Sequence, residues 1–131
     1  MAVSIQQIKE IVTKLAREID APIEFLPAIG TTPYDAEPHI EIRNGELHYV
    51  VVERGKEIRR DKTTKLDDLL YLIFETITFD MACRYLIRLR TDTTDQRLII
   101  FSRQEELLGI LSEEWKIRVQ KEHTEKLRQY P

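Results

Sequence analysis

His39, Glu41 and His48 are the side chains in this chain whose types best suit chemistry. Two imidazoles and a carboxylate can bind a metal with an open position, the core of a metal-dependent hydrolase, or serve as an acid–base pair. They can act together only if strand pairing brings His48 beside the other two. The bland reading is an ordinary polar sheet face with a cross-strand Glu–His pair, because one hairpin alone supplies neither supporting partners nor a nucleophile. The third histidine, His123, falls on an apolar helical stripe with Trp115 and Leu127, where partial burial is the simpler expectation. The single cysteine, Cys83, follows Phe79-Asp80-Met81-Ala82 and reads as a small buried hydrophobe; alone it excludes an internal disulfide and a cysteine-based zinc site. The four glycines, at 30, 45, 55 and 109, never cluster into a phosphate loop, and no serine sits in a nucleophile-elbow pattern. No catalytic residue, cofactor or metal ligand is therefore assigned.

The elements that position these residues begin with a helix over about residues 1–20, capped by Ser4, with Ile5, Ile8, Ile11 or Val12, Leu15 and Ile19 on one stripe. Pro22, Pro27, Gly30, Pro33 and Pro38 make 21–37 an irregular loop, with room for a short strand near Ile23–Leu26 or for a binding loop. A β-meander is expected over 38–63. Asn44-Gly45 is a type I′ turn signal that pairs Arg43 with Glu46, Ile42 with Leu47, Glu41 with His48 and Ile40 with Tyr49. Alternation then places Ile40, Ile42, Leu47, Tyr49 and Val51 on the core face, and His39, Glu41, Arg43, Glu46 and His48 on the other. Arg54-Gly55 or Gly55-Lys56 turns the chain into a third strand, where alternation sets Arg60 on the side of Ile58. Arg60 would there need a carboxylate partner or a place at the sheet edge.

Residues 64–131 read as a block of about four helices. Leu66 to Ile77 form a wide apolar face, Thr76 and Thr78 suggest a break, and Met81 to Leu89 continue as a second helix. A loop is expected at Thr91–Asp95. A third segment keeps Ile100, Gln104, Leu107, Leu108 and Leu111 together, and Ser112 caps the last helix. The fold class is α+β in a single domain, 1–131: N-terminal helix, three-stranded antiparallel meander, helical block.

Twenty basic residues against 23 acidic ones leave a net charge of −3, with 33% of residues charged. That balance argues against a protein that lives on bulk attraction to nucleic acid or anionic lipid. The basic run Arg54-Gly55-Lys56-Glu57-Ile58-Arg59-Arg60 lacks interleaved aromatics, and its acidic neighbours dilute it. The N-terminus shows no signal-peptide pattern and the longest apolar run, Leu69–Phe74, is too short to span a bilayer, so a cytoplasmic location is expected, with no membrane partner.

From Tyr49 onward the chain resembles the immunity protein 63 family of bacterial polymorphic toxin systems. Tyr49-Val50-Val51-Val52-Glu53-Arg54-Gly55, Glu57, Arg60 and Thr63 carry the resemblance. It continues through Asp67-Asp68-Leu69-Leu70-Tyr71-Leu72-Ile73-Phe74, Thr78, Met81-Ala82, Tyr85, Arg90, Asp95, Arg97, Phe101, Gln104, Leu107-Leu108, Trp115 and Pro131. The first 45 residues contribute nothing to it. The resemblance implies a non-enzymatic inhibitor that binds and neutralises a cognate protein toxin. Toxin-contact candidates are His39, Glu41, Arg43, Glu46 and His48 on the polar sheet face, with Tyr34 and Asp35 in the loop. Glu53, Arg54, Arg60, Arg90, Asp95, Arg97 and Gln104 form a second set, expected to orient the elements as a polar network or to contact the partner. The alternatives are the hydrolase built on His39, Glu41 and His48, and a regulatory interaction domain using the helical block.

Overall fold

The computed structural model of the chain describes residues 2–89 and 95–131; Arg90 and all of the loop expected at Thr91–Asp95 except Asp95 lie outside them. Helix α1 is Ile5–Glu18. Ser4 closes it with a capping box: its hydroxyl accepts the Gln7 amide at 3.1 Å, and the Gln7 carboxamide accepts the Ser4 amide at 2.8 Å. Ile8, Val12 and Ala16 are its buried stripe. The segment at 23–25 is a single 3-10 turn, not the short strand the sequence left room for. Strand-like pairing comes later in the loop, at Ala28. Its amide donates to the Pro38 carbonyl at 2.8 Å, and its own carbonyl accepts the Ile40 amide at 3.2 Å.

Strands β1 (His39–Arg43), β2 (Glu46–Glu53) and β3 (Lys56–Thr63) form an antiparallel sheet in that order. Their first register is the expected one, Glu41 opposite His48 and Arg43 opposite Glu46. Both hairpins turn on a pair of residues with positive φ, Asn44 (50°) with Gly45 (79°) and Arg54 (52°) with Gly55 (77°), the type I′ requirement. Between β2 and β3 the register shifts: Val51 faces Arg59, whereas Val52 faces Glu57. Ile58 is the extra residue of this bulge and stands 56% exposed. The bulge corrects the simple alternation of the sequence reading. Strict alternation would point Glu57 and Arg60 to opposite faces; the added residue points both outward.

Helix α2, Leu66–Leu89, runs unbroken where Thr76 and Thr78 suggested an interruption. Each threonine turns its hydroxyl onto a preceding carbonyl, Thr76 on Leu72 (3.3 Å) and Thr78 on Phe74 (2.6 Å), so neither leaves a polar group that would force the helix open. With α3 (Gln96–Leu111) and α4 (Glu113–Gln129), the described block holds three helices, within the α+β order expected. Asp95 caps α3 through the Arg97 amide (3.1 Å), and Ser112 caps α4 through the Trp115 amide (3.2 Å).

One core joins α1, the inner sheet face and the three later helices, with Ile8, Tyr49, Leu69, Phe74 and Leu108 almost fully enclosed. Trp115 belongs to this core: its ring stacks on Phe74 at 6.1 Å and its indole N–H donates to Asp67 at 3.2 Å. Tyr49 ties sheet to helix through a 3.0 Å hydrogen bond to Thr76. Among the described residues no helix is long and apolar enough to cross a membrane.

Candidate functional site

The outer face of the sheet gathers His39 and Glu41 from β1, His48 from β2, and Glu57 and Arg60 from β3. His39 Nε2 donates to one Glu41 oxygen at 2.7 Å, while Arg43 (2.8 Å) and Arg60 (3.2 Å) hold the other. The His39 bond, then the two guanidinium groups, keep the Glu41 carboxyl well below its ordinary range, at about 2. Arg60 is the hub. Its Nε and Nη2 donate to Glu57 at 2.9 and 2.6 Å, and its Nη1 donates to His48 Nδ1 at 2.6 Å. That last bond exists only with Nδ1 unprotonated, so the ring carries its hydrogen on Nε2. Nε2 itself is buried and has no hydrogen-bond partner, the nearest carboxylate oxygen, on Glu46, being 3.7 Å away.

Because Arg60 faces Val50 and Glu41 faces His48, the Arg60–Glu41 bridge spans β2 between Val50 and His48. Val50 is fully buried on this nominally polar face, and His48 is only 4% exposed. The face is thus a largely paired network, with His39 Nδ1 and His48 Nε2 left without partners, inside an exposed rim of Arg43, Glu46 and Glu57. It does bring His39, Glu41 and His48 together, yet the space between Glu41 and His48 is held by a permanent cation. A guanidinium bonded to both ligands is the worst neighbour for a divalent metal, and among the described residues no three His, Cys, Asp or Glu side chains are arranged to hold one. Cys83 is half-buried, and burial pushes its thiol pKa up, away from a nucleophile's range.

Tyr34 and Asp35 differ in kind. Tyr34 is 84% exposed, whereas the Asp35 carboxylate accepts the Arg54 amide at 2.7 Å, clamping the loop to the β2–β3 turn. Glu53 is exposed beside that turn. Asp95 pairs with Arg97 at 3.2 Å, and Arg97 also donates to the Tyr130 carbonyl, so the start of α3 is tied to the end of α4. The pair lowers the pKa of the Asp95 carboxyl.

Gln104 sits deep between helices. Its amide nitrogen donates to the Glu75 carbonyl of α2 at 2.9 Å, and its oxygen faces His123 Nε2 of α4 at 2.9 Å. His123 Nδ1 lies 2.6 Å from Glu105, and the Phe101 ring stacks on the imidazole at 3.9 Å. Both ring nitrogens therefore face oxygen acceptors, which only the doubly protonated ring satisfies completely. Burial opposes that form and lowers the His123 pKa, with Glu105 pulling the other way. Beside it, desolvation and the neighbouring Glu122 raise the Glu75 carboxyl to about 7. Glu75, Glu105 and Glu122 were not singled out by the sequence, and Glu57 entered only through the family resemblance, with no site role. Glu57 needed the bulge, and the other three needed the packing of α2, α3 and α4.

A family model for immunity protein 63 matches residues 44–125, well over half of the chain. The chain belongs to the immunity protein 63 family. The match begins at the β1–β2 turn and ends within the last helix, so it takes in His48, Glu57, Arg60 and Gln104. The remainder lies outside it: α1, the 21–37 segment and β1 with His39, Glu41 and Arg43 at one end, and residues 126–131 at the other. No curated protein and no solved structure shows significant similarity to the chain.

Proposed function

We propose that this member of the immunity protein 63 family neutralises a cognate protein toxin by stoichiometric binding in the cytoplasm, without turnover. The family membership carries the reading, and the outer sheet face agrees with it. The chemically capable residues there are consumed by one another: His39 by Glu41, and His48 by Arg60. What they leave facing solvent is a rim of mixed charge, Arg43, Glu46 and Glu57, on a backbone already fixed by the hairpins. Pre-paired groups lose little further freedom on association, which favours a tight inhibitor. Rim charges of both signs select a complementary partner and speed the encounter.

Co-expression is the direct test. The chain should restore growth to cells making the toxin encoded beside it, and the two proteins should co-purify at fixed stoichiometry. A neighbouring product that is harmless and never associates would remove the reading. Charge reversal at Arg43 and Glu46 should raise Kd by about tenfold or more, mainly through slower association at low salt.

A further inference from the structure

A groove of about 570 Å³ lies between α1 and the 21–37 segment, built wholly from residues outside the family match. Its floor is apolar, with Val12, Ala16 and Ala28 buried at its base. Ile23 and Tyr34 line it while standing 84% exposed each, an unusual outlay of apolar surface unless something covers it. The α1 wall carries Lys9 and Arg17, eight residues apart and about 12 Å along the helix axis. Neither has an ion-pair partner among the described residues. The one carboxylate in the lining, Glu37, is turned back onto the Tyr34 amide at 3.1 Å. The groove therefore presents two unpaired cations flanking an apolar floor.

We infer that this groove seats an extended acidic segment of the toxin, one with carboxylates on either side of an apolar side chain, and that the N-terminal part of the chain thereby sets which toxin is recognised. The inference rests on the toxin-binding reading above. An extended strand rises about 3.3 Å per residue, so carboxylates roughly four positions apart span the distance from Lys9 to Arg17. The side chain midway between them points to the same face and meets Ile23, Tyr34 and Val12. Nucleic acid suits the groove poorly: a floor this apolar and a net charge of −3 oppose a polyphosphate. Tyr34 adjoins Asp35, which is tied to the β2–β3 turn, so a segment in the groove lies on a loop continuous with the sheet.

The test uses the full chain and the purified, catalytically disabled toxin. Lys9 and Arg17 are exposed, so K9E/R17E folds normally, checked by an unchanged thermal melt. It should raise Kd by about 30-fold or more at low salt. That loss should shrink at high salt, where the Debye length falls to about 3 Å. I23S/Y34A should lose about tenfold or more, nearly independent of salt. Amides over 23–34 should gain hydrogen-exchange protection in the complex. R128E, at an exposed position near the end of α4, is the control and should bind as wild type. Folded variants that hold the toxin within twofold of wild type would overturn the groove while leaving the toxin-binding reading intact. So would protection of 23–34 by self-association of the free chain. A wild-type chain that binds no toxin overturns both.

Discussion

Replacing Arg60 by methionine isolates what the hub of the outer face contributes. Methionine keeps an unbranched stem beside Val50 and removes the guanidinium. Three partners lose a bond. Glu57 is 45% exposed, so solvent screens that pair and its loss costs little. Glu41 retains His39 and Arg43 and loses one of several partners. His48 is the costly one: its Nδ1 is left without a donor in a ring only 4% exposed, at about 1–3 kcal/mol. Arg60→Met should therefore lower the unfolding free energy by about 2–3 kcal/mol, read as a lower urea midpoint at unchanged slope. The double variant with His48→Leu should be less destabilised than the two single changes added together, by about 1 kcal/mol or more, because it removes both ends of the bond. Acid unfolding gives a second reading. The Glu41 carboxyl lies at about 2 in the fold against an ordinary 4.5, so its contribution is complete above pH 4.5 and disappears as pH falls toward 2. Without Arg60 the folded carboxyl moves back toward 4.5, so that loss should be smaller and be complete at a higher pH. A variant within about 0.5 kcal/mol of wild type, or a more stable one, would show that desolvating the guanidinium cancels its bonds, and the hub would carry no stability.

Glu75→Gln tests the half-buried carboxyl between α2 and α4. Its pKa is raised, so the folded state keeps a proton that the unfolded chain releases, and stability falls as pH rises from 4.5 to about 7. The variant should be about 1–3 kcal/mol more stable than wild type at pH 8 and equal to it at pH 4, by urea melts at both values. Gln104→Met removes the acceptor on His123 Nε2 and the donor to the Glu75 carbonyl; a loss of about 1–3 kcal/mol and an exchange-broadened His123 ring in NMR are expected. Trp115→Ala opens a cavity against Phe74 and strips the partner from Asp67, and should lose about 3–5 kcal/mol in the same melts.

The hairpin was the most legible part because its determinants are local. Asn44-Gly45 dictates a two-residue turn, the turn dictates the register, and the register puts Glu41 against His48. The caps at Ser4 and Ser112 are equally local, whereas Asp95, read as loop, proves to cap α3. What escaped was set by events of one residue or by distant packing. A single inserted residue at Ile58 decides that Glu57 and Arg60 share a face, and no alternation rule announces it. Thr76 and Thr78 look like helix breakers until their hydroxyls bond back to the turn before them. The groove is the extreme case: Lys9 and Arg17 read as a solvated helix face, and only the path of a proline-rich loop makes them the wall of a cleft.

These differences bear on how a nearly neutral protein can be selective. A net charge of −3 gives little overall steering, so discrimination must come from where charge is left unpaired. On the outer face almost every interior charge is neutralised by a neighbour, and only the rim remains to interact. In the groove the reverse holds: two cations are held without partners beside apolar surface that water covers poorly. Leaving a charge unpaired at an exposed site costs the free protein little, because water solvates it. It becomes strongly favourable only when a partner brings the opposite charge and displaces that water together with the apolar contact. A toxin lacking the acidic segment would instead bury Lys9 and Arg17 without compensation, a penalty of several kcal/mol that excludes it. The same two side chains then serve both attraction of one partner and rejection of others, which a uniformly charged surface cannot do.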